Sequence, residues 1–218
     1  ADIQIITLSE GEVNELHVGL KGTMNALFLK DLAQKTRRGL EGRVRQGKSG
    51  GGNAYGYDVV KKMDAAGEPI RGERRINEAE AAIIVRIFDE FIQGRSPKTI
   101  AHALNHEGVP GPTGNTWGPS TIHGNWRRGT GILNNELYIG RLVWNRQRFI
   151  KDPNTGKRQA RPNPEKEWVI EGVSHLSIVD QDLWKRVKER QSSTRRRVSS
   201  ETNGIRSERA RRPRYLLS

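Results

Sequence analysis

The chain has 218 residues, with 38 Lys and Arg against 25 Asp and Glu, a net charge of +13, and no cysteine. That length suits one or two domains, and the charge points to a polyanionic partner, nucleic acid first; a membrane surface ranks lower without a long basic amphipathic helix. Disulfide and thiolate metal sites are excluded, and with no apolar run near 18 residues and no leader pattern the default reading is a cytoplasmic protein without a membrane span.

Ile3 to Leu8 is a short β-branched apolar run that reads as a buried strand, and Ser9 to Glu12 reads as a turn. From Leu20 to Gln46 a long helical pattern follows, with Met24, Leu27, Phe28, Leu32, Leu40 and Val44. At 1.5 Å per residue it would span roughly 40 Å. One short strand cannot cover such a stripe, so its apolar half wants a missing domain or a second copy of itself. Its second half is basic, with Lys35, Arg37, Arg38, Arg43 and Arg45, and the cations run on into a glycine-rich strap, Gly47 to Asn53. A thin basic strap suits a chain crossing DNA near the phosphates or in the minor groove. A plain interdomain linker is the competing reading. Tyr55 to Val60 reads as a strand and Asp64 to Pro69 as a turn; Asp58, Asp64 and Glu68 are too loosely spaced to argue for a metal.

The best-punctuated stretch comes next. Asn77 and Glu80 form a capping-box pair, and Ile83, Ile84, Ile87, Phe88, Phe91 and Ile92 recur on one helical face. Gly94 stops that helix; Ser96 and Pro97 start another, through Ile100 and Leu104 to Gly108. A Pro/Gly-rich connection, Val109 to Pro119, leads to a third helical piece near Ser120 to Arg127. Three short helices with a basic end suggest a small DNA-binding unit. The connection, about eleven residues, is longer than the turn of a helix-turn-helix, so an ordinary helical core stays open. Beyond Gly140, Leu142 and Trp144 precede Arg146-Gln147-Arg148-Phe149-Ile150; after a loop at Asp152 to Lys157, Trp168 to Ile170 reads as the return strand of a two-stranded basic ribbon. Asp180 caps a last helix with Leu183, Trp184 and Val187 on one face. Ser192 to Ser218 holds eight arginines and two glutamates and reads as a disordered tail.

The long helix with LAQKTRRGLEGRVRQG, the YGY after the strap, and IVRIFDEFIQGRSPKTIAHALNHEGVPGPTGNTW together resemble the large serine recombinases, the phage integrases and transposon recombinases of the resolvase/invertase superfamily. The long helix is similar to their dimerisation helix, and Gly52 to Gln191 is similar to their recombinase domain. Nothing resembles the family's serine nucleophile motif or an Asp-Arg-x-x-Arg pair. On the long helix Lys35 stands where smaller members carry a catalytic arginine. Tyr215-Leu216-Leu217 resembles the lead-in to the family's zinc ribbon. The resemblance therefore implies the middle piece of a serine recombinase, catalytically silent by itself.

These readings give an α+β, mainly helical chain: a long N-terminal helix joined to a small helical DNA-binding domain with a short β-ribbon. The expected units are 1–47 (end of the catalytic domain), 48–54 (linker), 55–191 (recombinase domain) and 192–218 (tail). Double-stranded DNA carrying an attachment half-site is the expected partner, with no cofactor, no metal and a possible homodimer through helix 20–46. The candidate DNA-binding residues are Lys48, Ser49 and Asn53 in the strap, Thr121, His123, Asn125, Arg127 and Arg128 near the third helix, and Arg146 and Arg148 on the ribbon. The rival is a complete non-enzymatic DNA- or RNA-binding protein such as a repressor.

Overall fold

The computed structural model describes residues 5–7, 11–13 and 15–194. Strand β1 (Ile5–Thr7) pairs antiparallel with β2 (Gly11–Val13), so part of the expected turn belongs to a strand. Helix α1 (Glu15–Arg45) begins five residues before the apolar pattern does. Leu20, Met24, Leu27, Phe28 and Leu32 share one of its faces and all are exposed. The last turn of α1 meets the rest of the chain, where Val44 is fully buried in the core.

Strand β3 (Tyr57–Val59) pairs with β6 (Arg74–Ile76), and the β4 (Lys62–Met63) and β5 (Pro69–Ile70) hairpin extends between them. Asp64 shapes its tip by accepting from Ala66 N and Glu68 N, both at 2.9 Å. Asp58 pairs with Arg75 at 3.2 Å. These acids thus serve turns and strands, and no group of three metal-ligating side chains gathers among the described residues.

Helix α2 (Glu78–Ile92) starts where Asn77 accepts from Glu80 N at 3.2 Å. Glu80 does not complete a capping box. Its carboxylate takes Gly56 N at 2.6 Å instead, while Asn77 N donates to Gly56 O at 2.9 Å. The cap therefore staples α2 to β3. Gly56 (φ +94°) is needed there, because a Cβ would lie 2.3 Å from Ile84 Cδ1. Ile84, Ile87, Phe88 and Phe91 form the centre of the core. Helix α3 (Pro97–His106), capped by Ser96 to Thr99 N at 3.1 Å, adds Ile100, Ala101 and Leu104.

The long connection after α3 is fixed rather than loose. Asn105 brackets Trp117 through Nδ2 to Trp117 O (2.9 Å) and Trp117 N to Oδ1 (2.7 Å), and the indole N–H donates to Val109 O at 3.1 Å. Helix α4 (Pro119–His123) is a little over one turn and ends four residues before the expected Arg127. Its stop is Gly124, at φ 55° and ψ −147°.

Two ribbons replace the expected one. Strand β7 (Arg141–Trp144) pairs with β10 (Val169–Gly172), whereas β8 (Gln147–Lys151) pairs with β9 (Arg158–Pro162). The expected return strand thus belongs to Leu142 and Trp144, and the basic run has a partner of its own. The break lies at Asn145, in the left-handed region at φ 64°, a conformation asparagine tolerates better than most residues. Asn163 Nδ2 donates to Asn145 O at 2.9 Å and Asn145 Nδ2 to Glu167 O at 2.8 Å, closing the neck of the β8–β9 arm. A last helix, α5 (181–194), buries Val187 against the core. The chain is a mixed α+β protein; of the tail expected to be disordered from Ser192, residues 192–194 continue α5 instead, and the rest falls outside the described residues.

Candidate nucleic-acid interface

After α4 the chain makes a tight turn whose neck is two glycines in contact. A Cβ on Gly124 would lie 1.7 Å from Thr130 O, and one on Gly131 would lie 2.5 Å from Gly124 Cα. Asn125 N donates to Thr130 O (3.0 Å) and Thr130 N to Asn125 O (3.2 Å). Asn125 Oδ1 accepts from Arg128 N at 3.2 Å, so this candidate residue shapes the turn. Arg127 and Arg128 stand exposed at its tip, on a turn rather than on the helix expected for them. The Arg127 guanidinium lies 5.3 Å from the Trp126 ring centre.

Asn134 locks the neck, donating to His123 O at 2.7 Å and Thr130 O at 3.0 Å. Its Oδ1 accepts from Lys188 Nζ at 2.8 Å, which also donates to Leu133 O at 2.6 Å. Burial pushes the Lys188 ammonium down to about 8 against the pull of Glu136. Neither Asn134 nor Lys188 stood out in the sequence, because each is a single polar residue in an apolar pattern. His123 is exposed beside this neck, on a groove of about 470 Å³ shared with Phe91, Trp126 and Lys188; Thr121 is half-buried in α4.

Arg146 is a brace and not a free cation. Its guanidinium is ion-paired with Glu136 and lies over the Trp168 ring at 4.8 Å, with its side chain 13% exposed. A Cβ on Gly129 would lie 2.0 Å from Arg146 Nη1, so the guanidinium sits directly beneath the Arg127–Arg128 turn. Arg148, one residue into the arm, is exposed, as are Lys151, Arg158 and Arg161. Trp126, Arg127, Arg146, Asn163 and Trp168 line a groove of about 560 Å³ between turn and arm base.

The strap, expected either to cross DNA or to serve as a plain interdomain linker, is packed into the fold. Ser49 is buried; its hydroxyl accepts from Gly51 N at 3.1 Å and receives Arg74 Nη2, which also donates to Gly52 O at 3.0 Å. Asn53 Nδ2 donates to Tyr57 O, and Lys48 reaches Glu73 at 4.0 Å. A Cβ on Gly50 would lie 2.6 Å from the Trp144 ring and 2.8 Å from Val44. Gly50→Ala should therefore lower stability by roughly 1–3 kcal/mol, as overpacking does. An unchanged denaturation midpoint would show that the strap lifts off Trp144 freely. Of the strap candidates, Ser49 and Asn53 spend their polar groups inside the fold.

The cations on or just after α2 and those of the turn and arm have different neighbours. On the helical face Arg86 pairs with Glu90 at 2.8 Å and with Glu107, and Arg95 pairs with Glu90 at 3.1 Å. The turn and arm differ: no ion pair links Arg127, Arg128, Arg148, Lys151, Arg158 or Arg161 to an acidic side chain among the described residues.

The fold and this surface define a basic α+β domain with a cation-bearing turn and arm. The Recombinase family matches residues 78–194, more than half of the chain, and the chain belongs to that family. This bears out the recombinase domain that the motifs resemble. Among solved structures the chain is similar to the crystal structure of an LSR–DNA complex, at 19% identity and a TM-score of 0.40, over 74% of this chain and 39% of that one. It thus spans about two fifths of that chain's length. None of the curated proteins compared with it matches.

Proposed function

We propose that the chain binds double-stranded DNA as the recombinase domain of a serine site-specific recombinase and recognises an attachment half-site. The observation that carries this reading is the cluster of exposed cations on the turn and arm, Arg127, Arg128, Arg148, Lys151, Arg158 and Arg161, none of them ion-paired with an acidic side chain among the described residues. Cations without acidic partners are available to phosphates, which supply most of the affinity of such complexes. Arg127 and Arg128 stand exposed at the turn tip, and arginine pairs bidentately with guanine in the major groove. Asn125 keeps its amide N–H₂ for a base while its carbonyl holds the turn.

Titration of a labelled duplex by fluorescence anisotropy tests the reading. With six or more phosphate contacts, affinity should fall on the order of a thousandfold between 50 and 200 mM salt. Arg127→Ala should cost roughly 1–3 kcal/mol on the chosen site and little on random duplex if it reads a base. Salt-independent binding, or none, would sink the proposal.

The exposed stripe on α1 is read as a homodimer face within the same proposal. Five apolar side chains on one helical face, with nothing over them among the described residues, suit a parallel or antiparallel copy of the same helix. Sedimentation should give a dimer that Leu27→Asp with Phe28→Asp converts to monomer. A monomer at every concentration would remove this part.

A further inference from the structure

Resting on the DNA-binding reading, we propose that the β8–β9 arm is a phosphate clamp whose strands are held together by the DNA they grip. The register sets Arg148 directly opposite Arg161, and Lys151 directly opposite Arg158. Residues so placed share a face with their Cβ atoms about 5 Å apart, and like charges there push the strands apart. No residue of either strand is buried, so no core opposes that repulsion. A two-stranded hairpin standing alone is marginal in water.

Nearby groups quench one of the two pairs better than the other. The Arg158 guanidinium lies 3.9 Å from the Phe149 ring centre, on the face it shares with Lys151. Asp152, the acid closest in sequence, accepts from Asn154 N at 2.9 Å in the loop and from Gln159 Nε2 at 2.6 Å on β9, and no ion pair joins it to an arginine of the arm. On the opposite face Arg161 donates to Gln159 Oε1 at 2.7 Å, a neutral partner that removes no charge. Ile150, 41% exposed, completes that face. On that face Asp152 reaches Arg161 only through Gln159, so neither Arg148 nor Arg161 has a counter-charge in direct contact.

A duplex phosphate supplies one. Its oxygens accept from two guanidiniums at once, through charge-assisted bonds stronger than neutral ones. Repulsion across the ladder then becomes a shared contact, and the arm tightens as it binds. Arg161 is a phosphate-binding residue in this scheme, and its charge loosens the free arm.

The test pairs hydrogen exchange over residues 146–163 with binding to a mixed-sequence duplex, for the whole chain and for Arg161→Glu. In the wild type, exchange of the arm should slow about tenfold when the duplex is added. In Arg161→Glu, facing Arg148 with opposite charge, the free arm should already exchange about tenfold more slowly. The same variant should bind the duplex about tenfold more weakly, with a salt slope lower by about one to two units. Arg148→Glu should behave alike. If Arg161→Glu binds as tightly as wild type, the clamp is wrong although the chain still binds DNA. If its free arm exchanges as fast as wild type, the repulsion argument is wrong. A wild-type chain that binds no duplex removes the DNA reading itself, and the clamp with it.

Discussion

Gly124→Ala is expected to be the most damaging methyl group that can be added at the turn. The new Cβ would stand 1.7 Å from Thr130 O and 2.3 Å from its carbonyl carbon, and both belong to backbone that a rotamer change cannot move. The native φ of 55° with ψ of −147° is also a combination that side chains rarely adopt. Overpacking costs about 1–3 kcal/mol and strained backbone a similar amount, so roughly 3–5 kcal/mol should be lost together. The loss has a functional consequence, because the turn opens at the neck that aims Arg127 and Arg128. Gly19→Ala provides the contrast: it lies in exposed α1 with nothing within 4 Å, and alanine there should stabilise the helix by up to about 1 kcal/mol. Urea denaturation of both variants checks the pair. A Gly124→Ala midpoint close to wild type would mean that the neck rearranges at little cost.

What was legible in the sequence follows from where local chemistry alone decides structure. Asn77, Gly94, Ser96, Pro97 and Gly108 punctuate α2 and α3, and each acts at its own position, so both helices stand where expected. The exposed stripe of α1 was legible for the same reason. The third helix was overextended because Trp126-Arg127-Arg128 carry no break signal; the stop is Gly124, whose necessity lies in a carbonyl six residues on. The arm was missed because Arg158 to Pro162 reads RQARP, with no β-branched residue, and its strand character comes from pairing with β8. The capping box was half right: Asn77 caps, but Glu80 meets Gly56, 24 residues away. Among candidate site residues, the exposed cations Arg127 and Arg128 at the turn tip and Arg148 near the arm base could be named from charge. The inward roles of Ser49, Asn53 and Arg146 depend on Arg74, Tyr57 and Glu136, partners that spacing does not show.

Glu136→Ala should be costly for a different reason, because it strips the counter-charge from a nearly buried guanidinium. Glu136 pairs with Arg146 and, at 2.9 Å, with Arg141; the Glu136 side chain is 19% exposed. Removing one partner of a buried pair costs 3–5 kcal/mol; the residual exposure lowers the expectation here to about 2–4 kcal/mol. Replacing both residues, as Glu136→Leu with Arg146→Met, should recover much of that loss, since no uncompensated charge remains. The pair also separates two roles for Arg146. Its guanidinium spans the Arg127–Arg128 turn above and the Trp168 ring at the arm base, so as a brace it fixes one cation-bearing element against the other. Arg146→Lys keeps the charge but neither stacks as a plane nor forms the fork, and should be nearly as destabilised as Arg146→Met. On DNA, a brace predicts that both variants weaken binding together and leave the salt slope unchanged. A direct phosphate contact predicts instead that Lys retains binding and that Met lowers the slope by about one unit. Retention by Lys, with full stability, would return Arg146 to the set of DNA-contacting cations.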